Sequence, residues 1–149
     1  MEALSFFSFP CLNDTIVKSD GTIYFTDPGA PDPELDLDFS GVYRVSEDLG
    51  TLTLFLKDFV TPNGIAFSPD ESILYVNDTR RQHIRAFDMQ PNGLPALASD
   101  RIFCDLSGER PGVPDGMKVD IEGNVYCLSL IHISEPTRRY AISYAVFCL

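Results

Sequence analysis

Positive charge is scarce in this sequence. Eleven Lys and Arg stand against 22 Asp and Glu, a formal net charge of −11, so the clustered cations that a phosphate backbone demands are missing and no nucleic-acid partner is expected. No apolar run approaches the roughly 18 residues of a membrane-spanning helix, so no membrane partner is expected either. The opening MEALSFFSFPCL carries Glu2 where a secretory leader has a basic segment, and the chain is therefore read as cytoplasmic. Cys11, Cys104, Cys127 and Cys148 are far apart and form no Cys-x-x-Cys pair. That spacing argues against a zinc knuckle or a disulfide framework and for reduced core thiols. The absence of a Gly-x-Ser-x-Gly elbow argues against a serine hydrolase, and no glycine-rich phosphate loop joins a strand to a helix.

What the sequence does have is repetition. The stretch TPNGIAFSPDESILYVNDT, Thr61 to Thr79, opens on an Asn, alternates apolar residues, turns at Pro69-Asp70 and returns as a second apolar strand. NDTIVKSDGTIYFTD from Asn13 and DGMKVDIEGNVYCLS from Asp115 repeat the design, with openings 50 and 52 residues apart. An acidic residue sits seven positions past each opening, at Asp20, Asp70 and Glu122; Gly21 and Gly123 follow in the outer copies, and Glu71-Ser72 lengthens the middle one by a residue. Asp-Gly and Glu-Gly between apolar runs are hairpin turns, because the backbone there takes the positive φ that Gly adopts freely. The alternation Thr15/Val17, Ile65/Phe67, Met117/Val119 has the period of a strand.

Between the copies, GVYRVSEDLGTLTLFLKDF and HIRAFDMQPNGLPALASDRIFCD each supply two further strands, with Val42-Tyr43 matching Ile84-Arg85. Four short antiparallel strands in a unit of about fifty residues predict an all-β propeller blade. Residues 1–12 fit no copy and stay unassigned. The segment GAPDPELDLDFSG, with two prolines and four acids, reads as a solvated loop, with a lid beside a polar ligand as the sharper alternative. His83, beside Arg80 and Arg81, reads as a strand-entry residue on a solvated edge, the alternative being a contact to an anionic substrate group.

A propeller brings the start of each innermost strand to one end of its central channel, so Asn13, Asn63 and Asp115 can converge there. Amide and carboxylate oxygens suit hard divalent cations, and such a cation polarises an ester carbonyl and acidifies water. Pro62-Asn63-Gly64 and Pro114-Asp115-Gly116 are also ordinary turn tripeptides, so recurrence establishes a shared structural role before a shared ligand role.

The segments LNDTIVKSDGTIYFTDP, FSGVYRV, PNGIAFSPDESILYVNDTRRQHIRAFD and RPGVPDGMKVDIEGNVYC resemble, in order, the gluconolactonase, regucalcin and luciferin-regenerating-enzyme family. The resemblance implies a six-bladed β-propeller with one axial divalent cation (calcium, zinc, magnesium or manganese) and hydrolysis of a small sugar lactone. Carried over residue by residue, it implies Asn63 and Asp115 as metal ligands, Asp115 also as the catalytic acid/base, and Asn13 as a substrate contact. The alternative is a non-catalytic propeller that binds calcium or a partner on the same face. Two features depart from the family. Its first metal ligand, a glutamate, falls upstream of anything present here, and Cys11 stands where regucalcin-like members carry an arginine.

Residues 13–127 then amount to about two and a half blades, and a partial ring with open sheet edges is expected to be inactive. The tail departs from the pattern altogether. Ser129 stands where the copies before it have Asp27 and Asp78, and LSLIHISEPTR followed by ISYAVFCL resembles translated sequencing-library adapter DNA. Residues 128–149 are therefore expected not to be native. An independent read of the gene that ran on past position 128 with the same sequence would remove this reading.

Overall fold

The structure is a computed structural model that describes residues 11–29, 40–108, 112–132 and 141–148, with residues 130–132 and 141–148 described as backbone alone. Most of the unassigned segment 1–12 and most of the acidic loop read above as solvated lie outside the described residues. Strands dominate the rest. β1 (Thr15–Val17), β2 (Ile23–Asp27), β3 (Gly41–Val45) and β4 (Leu52–Leu56) form one antiparallel sheet in chain order. β5 (Pro62–Phe67), β6 (Ile73–Asp78), β7 (His83–Asp88) and β8 (Arg101–Asp105) form a second of the same order. β9 (Val113–Val119), β10 (Val125–His132) and β11 (Ala141–Cys148) form a third. The two four-stranded sheets answer the expected strand content of each period.

The turns explain the registration. Gly21 and Gly123 take φ +90°, and Glu71 takes the same place in the middle copy with φ 58°. The extra residue then appears in the ladder: Val17 faces Ile23 and Val119 faces Val125, whereas Phe67 faces Leu74. The match of Val42-Tyr43 to Ile84-Arg85 also holds in detail, since each pair carries the register shift between its sheet's third and fourth strands.

Alternation along the second sheet divides its side chains between two cores. Ile65, Leu74, Val76 and Phe87 face the first sheet, where they meet Tyr24, Val42, Leu56 and Phe59. Ala66, Tyr75, Ile84 and Ala86 face the third, against Met117, Val125 and Cys127. Each fully buried large apolar side chain contributes about 1.5–3 kcal/mol, so the middle sheet is held from both sides. Arg85, buried on the first-sheet side, lies over the Phe59 and Phe87 rings at 4.6 and 5.2 Å and bonds Asp100 and the Asp58 carbonyl.

The cysteines differ from expectation. Cys127 is a buried free thiol, but Cys11 is exposed and Cys104 is disulfide-bonded.

Turn carboxylates link the fold to pH. Asp20 accepts from the Thr22 backbone N–H and then Lys18, Asp70 from the Ser68 hydroxyl and then Ser72, Asp120 from the Asn124 amide, and each carboxyl is held down at about 2. A carboxyl depressed in the folded state contributes its full stability above the unfolded value of about 3.9, and that contribution disappears as pH falls toward the folded value. The urea midpoint is expected to drop as pH is lowered from about 5 to 2. Asp70→Asn should show a smaller drop over that interval.

Candidate functional site

A repeated irregularity builds the site. In the second sheet Pro62 pairs with Asp78 and Ile65 with Val76, so Asn63 and Gly64 together oppose Asn77. In the third, Pro114 pairs with Ser129 and Met117 with Cys127, so Asp115 and Gly116 together oppose Leu128. Two residues against one make a β-bulge, which re-aims the side chain it carries. The first sheet has the same count: Asn13 N–H donates to the Thr26 carbonyl and Thr26 N–H to the Asp14 carbonyl, both at 3.0 Å.

These bulges bring Asn63 and Asp115 together. Asn63 is buried, and its Nδ2 donates to Asp115 Oδ1 at 3.0 Å and to Thr79 Oγ1 at 3.2 Å. Asp115 is half-buried. Close approach of β5 to β9 depends on Gly64, where a Cβ would lie 2.5 Å from the Asp115 carbonyl oxygen and 2.6 Å from Asn77 Nδ2. Asn13 is exposed and stands before β1. Its sheet is tied to the pair through the backbone: Thr26 Oγ1 donates to the Asn63 carbonyl at 2.7 Å, and Ile65 N–H donates to Asp14 Oδ2 at 3.1 Å.

Several side chains that hold the site went unread in the sequence. Asn77, fully buried, accepts from Gly64 N–H at 3.1 Å and donates to the Asp115 carbonyl at 2.5 Å. Thr26 and Asn77 therefore do one job, each bonding the carbonyl of the next sheet's site residue. Their common place, two past the tyrosine of the returning strand, was the available signal. The recurring aspartate one place further is structural: Asp78, fully buried, accepts from the N–H groups of Val60, Thr61, Arg80 and Arg81 at 2.7–3.2 Å. His83 enters β7, as the strand-entry reading has it, but is less solvated than that reading expected. It is half-buried, its Nε2 is buried without a hydrogen-bond partner among the described residues, and burial pushes its pKa down.

An amide and a carboxylate side by side form a hard-oxygen donor set suited to a divalent cation. Among the described residues, no group of three or more His, Cys, Asp or Glu is placed to hold a metal. Nor, among them, is any helix long and apolar enough to cross a membrane.

Consecutive antiparallel sheets, each latched to the next at the start of its first strand, define a repeat protein of the all-β class. Residues 10–134 match the SMP-30/Gluconolactonase/LRE-like region, and the chain belongs to that family. It is 35% identical over 127 residues to the gluconolactonase of Zymomonas mobilis, covering 76% of this chain and 35% of that protein. It is 29% identical to the lactonase drp35 of Staphylococcus haemolyticus, covering 78% and 34%. A gluconolactonase structure from Xanthomonas campestris aligns with TM-score 0.66 and 31% identity over 90% of this chain and 46% of that one. The calcium-binding protein regucalcin from Agrobacterium tumefaciens aligns with TM-score 0.65 and 26% identity, over 79% and 38%. The chain spans about a third of the length of these curated relatives.

Proposed function

We propose that this chain is part of a β-propeller sugar-lactone hydrolase, about two and a half of its six blades, with Asn63 and Asp115 as two ligands of a divalent cation. The observation that carries the proposal is the contact between Asn63 and Asp115, drawn together by bulges from sheets 52 residues apart in register. The similarity to gluconolactonases and lactonases supplies the substrate class, and the likeness to calcium-binding regucalcin favours calcium among the hard cations.

Bound there, the cation would supply charge stabilisation at the lactone carbonyl oxygen. The chain's own residues do the rest. Asp115 takes a proton from the attacking water and returns it to the leaving ring oxygen. Asn63 presents its amide oxygen to the cation, and Asn13, exposed on the neighbouring sheet, contacts the sugar hydroxyls. With two donors of the proposed set, the chain by itself is inactive, and residues 128–149 are not native. Leu128 supports that boundary: it is a hydrocarbon, 43% exposed, at the place where Thr26 and Asn77 each bond the following sheet. The family match itself extends to residue 134.

The test is acid release from gluconolactone by the full-length protein, with and without chelator. Hydrolysis abolished by chelator and restored by added cation is expected. Cation binding without hydrolysis would transfer the reading to a calcium-binding module with no catalytic role, and chelator-insensitive hydrolysis would remove the cation from the chemistry.

A further inference from the structure

Thr79 stands apart from the other side chains around the site because the repeat does not explain it. Thr26 and Asn77 occupy equivalent places and bond equivalent carbonyls, so their duty belongs to the architecture. Four past the returning tyrosine, where the middle copy has Thr79, the first copy has Pro28. Thr79 also touches one of the proposed ligands directly and the residue that precedes the other. Its Oγ1 accepts from Asn63 Nδ2 at 3.2 Å and donates to the carbonyl of Pro114, the residue before Asp115, at 2.8 Å. Its backbone N–H donates to the Thr61 carbonyl at 2.9 Å, anchoring it beside the start of β5.

A threonine hydroxyl has one proton. With that proton on the Pro114 carbonyl, Oγ1 meets Asn63 as an acceptor, so the amide edge facing it is the NH2 edge. The hydroxyl thereby fixes which edge of Asn63 carries the oxygen, and through Pro114 it fixes where β9 delivers Asp115. We propose that Thr79 is a positioning residue for the cation site, orienting Asn63 and Asp115 before the cation arrives; the inference rests on the function proposed above. Residues that orient ligands in this way typically change metal affinity by about 10–100-fold when removed.

The experiment titrates the full-length protein calorimetrically with Ca2+, Mn2+, Zn2+ and Mg2+ in turn and then repeats the tightest titration on Thr79→Val and Thr79→Ser. Valine keeps the volume and removes both hydroxyl bonds, whereas serine restores the hydroxyl. The expected result is a Kd raised about tenfold or more by valine and returned to within about twofold by serine. Urea midpoints of all three proteins are measured alongside, and serine rescue separates orientation from a general loss of stability. Wild-type protein that binds none of the four cations overturns the function proposed above. Wild-type protein that binds, with valine binding equally well, overturns the role of Thr79 alone. An equal loss in valine and serine also overturns it, because the hydroxyl would then not be the group that matters.

Discussion

Replacing Gly64 by Ala should destabilise the chain by about 4 kcal/mol, whereas Gly116→Ala should change its stability by less than about 0.5 kcal/mol. The two glycines hold the same place in neighbouring bulges, yet their surroundings differ. A Cβ on Gly64 would meet the Asp115 carbonyl oxygen at 2.5 Å, Asn77 Nδ2 at 2.6 Å and Met117 Cβ at 2.9 Å. None of these atoms is the free end of a flexible side chain, since two belong to the fixed frame of β9 and the third is an amide held at both ends. β5 and β9 would have to separate. Separation stretches the bond from Asn77 to the Asp115 carbonyl and loosens the core around Met117 and Val125, adding about 1–3 kcal/mol for an unpaired buried amide to the overpacking cost. On Gly116, among the described residues, a Cβ would find Leu128 Cδ1 at 4.0 Å and nothing nearer. Urea unfolding of the two variants checks the pair. Equal costs would mean that the seam between β5 and β9 is less tightly set than its geometry requires.

The same seam shows what the sequence discloses. Spacing and alternation expose strands, and Asp-Gly or Glu-Gly exposes the residue of positive φ. The hairpins and the two four-stranded sheets were therefore legible, down to the extra residue at Glu71. Convergence of Asn63 on Asp115 was legible for a related reason: both stand at the same place in a repeated unit, and consecutive sheets packed side by side bring such places together. Bonds between units are another matter. Whether Thr26 reaches the Asn63 carbonyl depends on the twist and separation of two sheets, and no local pattern encodes those. Thr79 left no trace at all, because it is not repeated. His83 was legible in part: it enters β7 as expected, but its burial was not read. Arg81 bonds Asp58 at 2.9 Å on the exposed side, while the His83 Nε2 is buried.

On the function proposed above, Asp115→Asn in the full-length protein should reduce lactone hydrolysis by about 10³-fold while leaving the fold nearly intact. An asparagine at 115 still offers an oxygen to Asn63 Nδ2, which Asp115 Oδ1 accepts at 3.0 Å, and the backbone carbonyl still accepts from Asn77. The stability change is accordingly expected to stay below about 1 kcal/mol. On the function proposed above, what the substitution removes is chemical: the negative charge that would draw a cation and the lone pair that would take a proton from water. These two losses separate experimentally. Loss of charge weakens calcium binding, which excess calcium restores by mass action; loss of the base lowers kcat and stays lost at saturating calcium. An activity deficit that persists when the site is filled therefore assigns the proton to Asp115. A deficit that excess calcium erases would leave Asp115 as a ligand only and require the base to come from another residue.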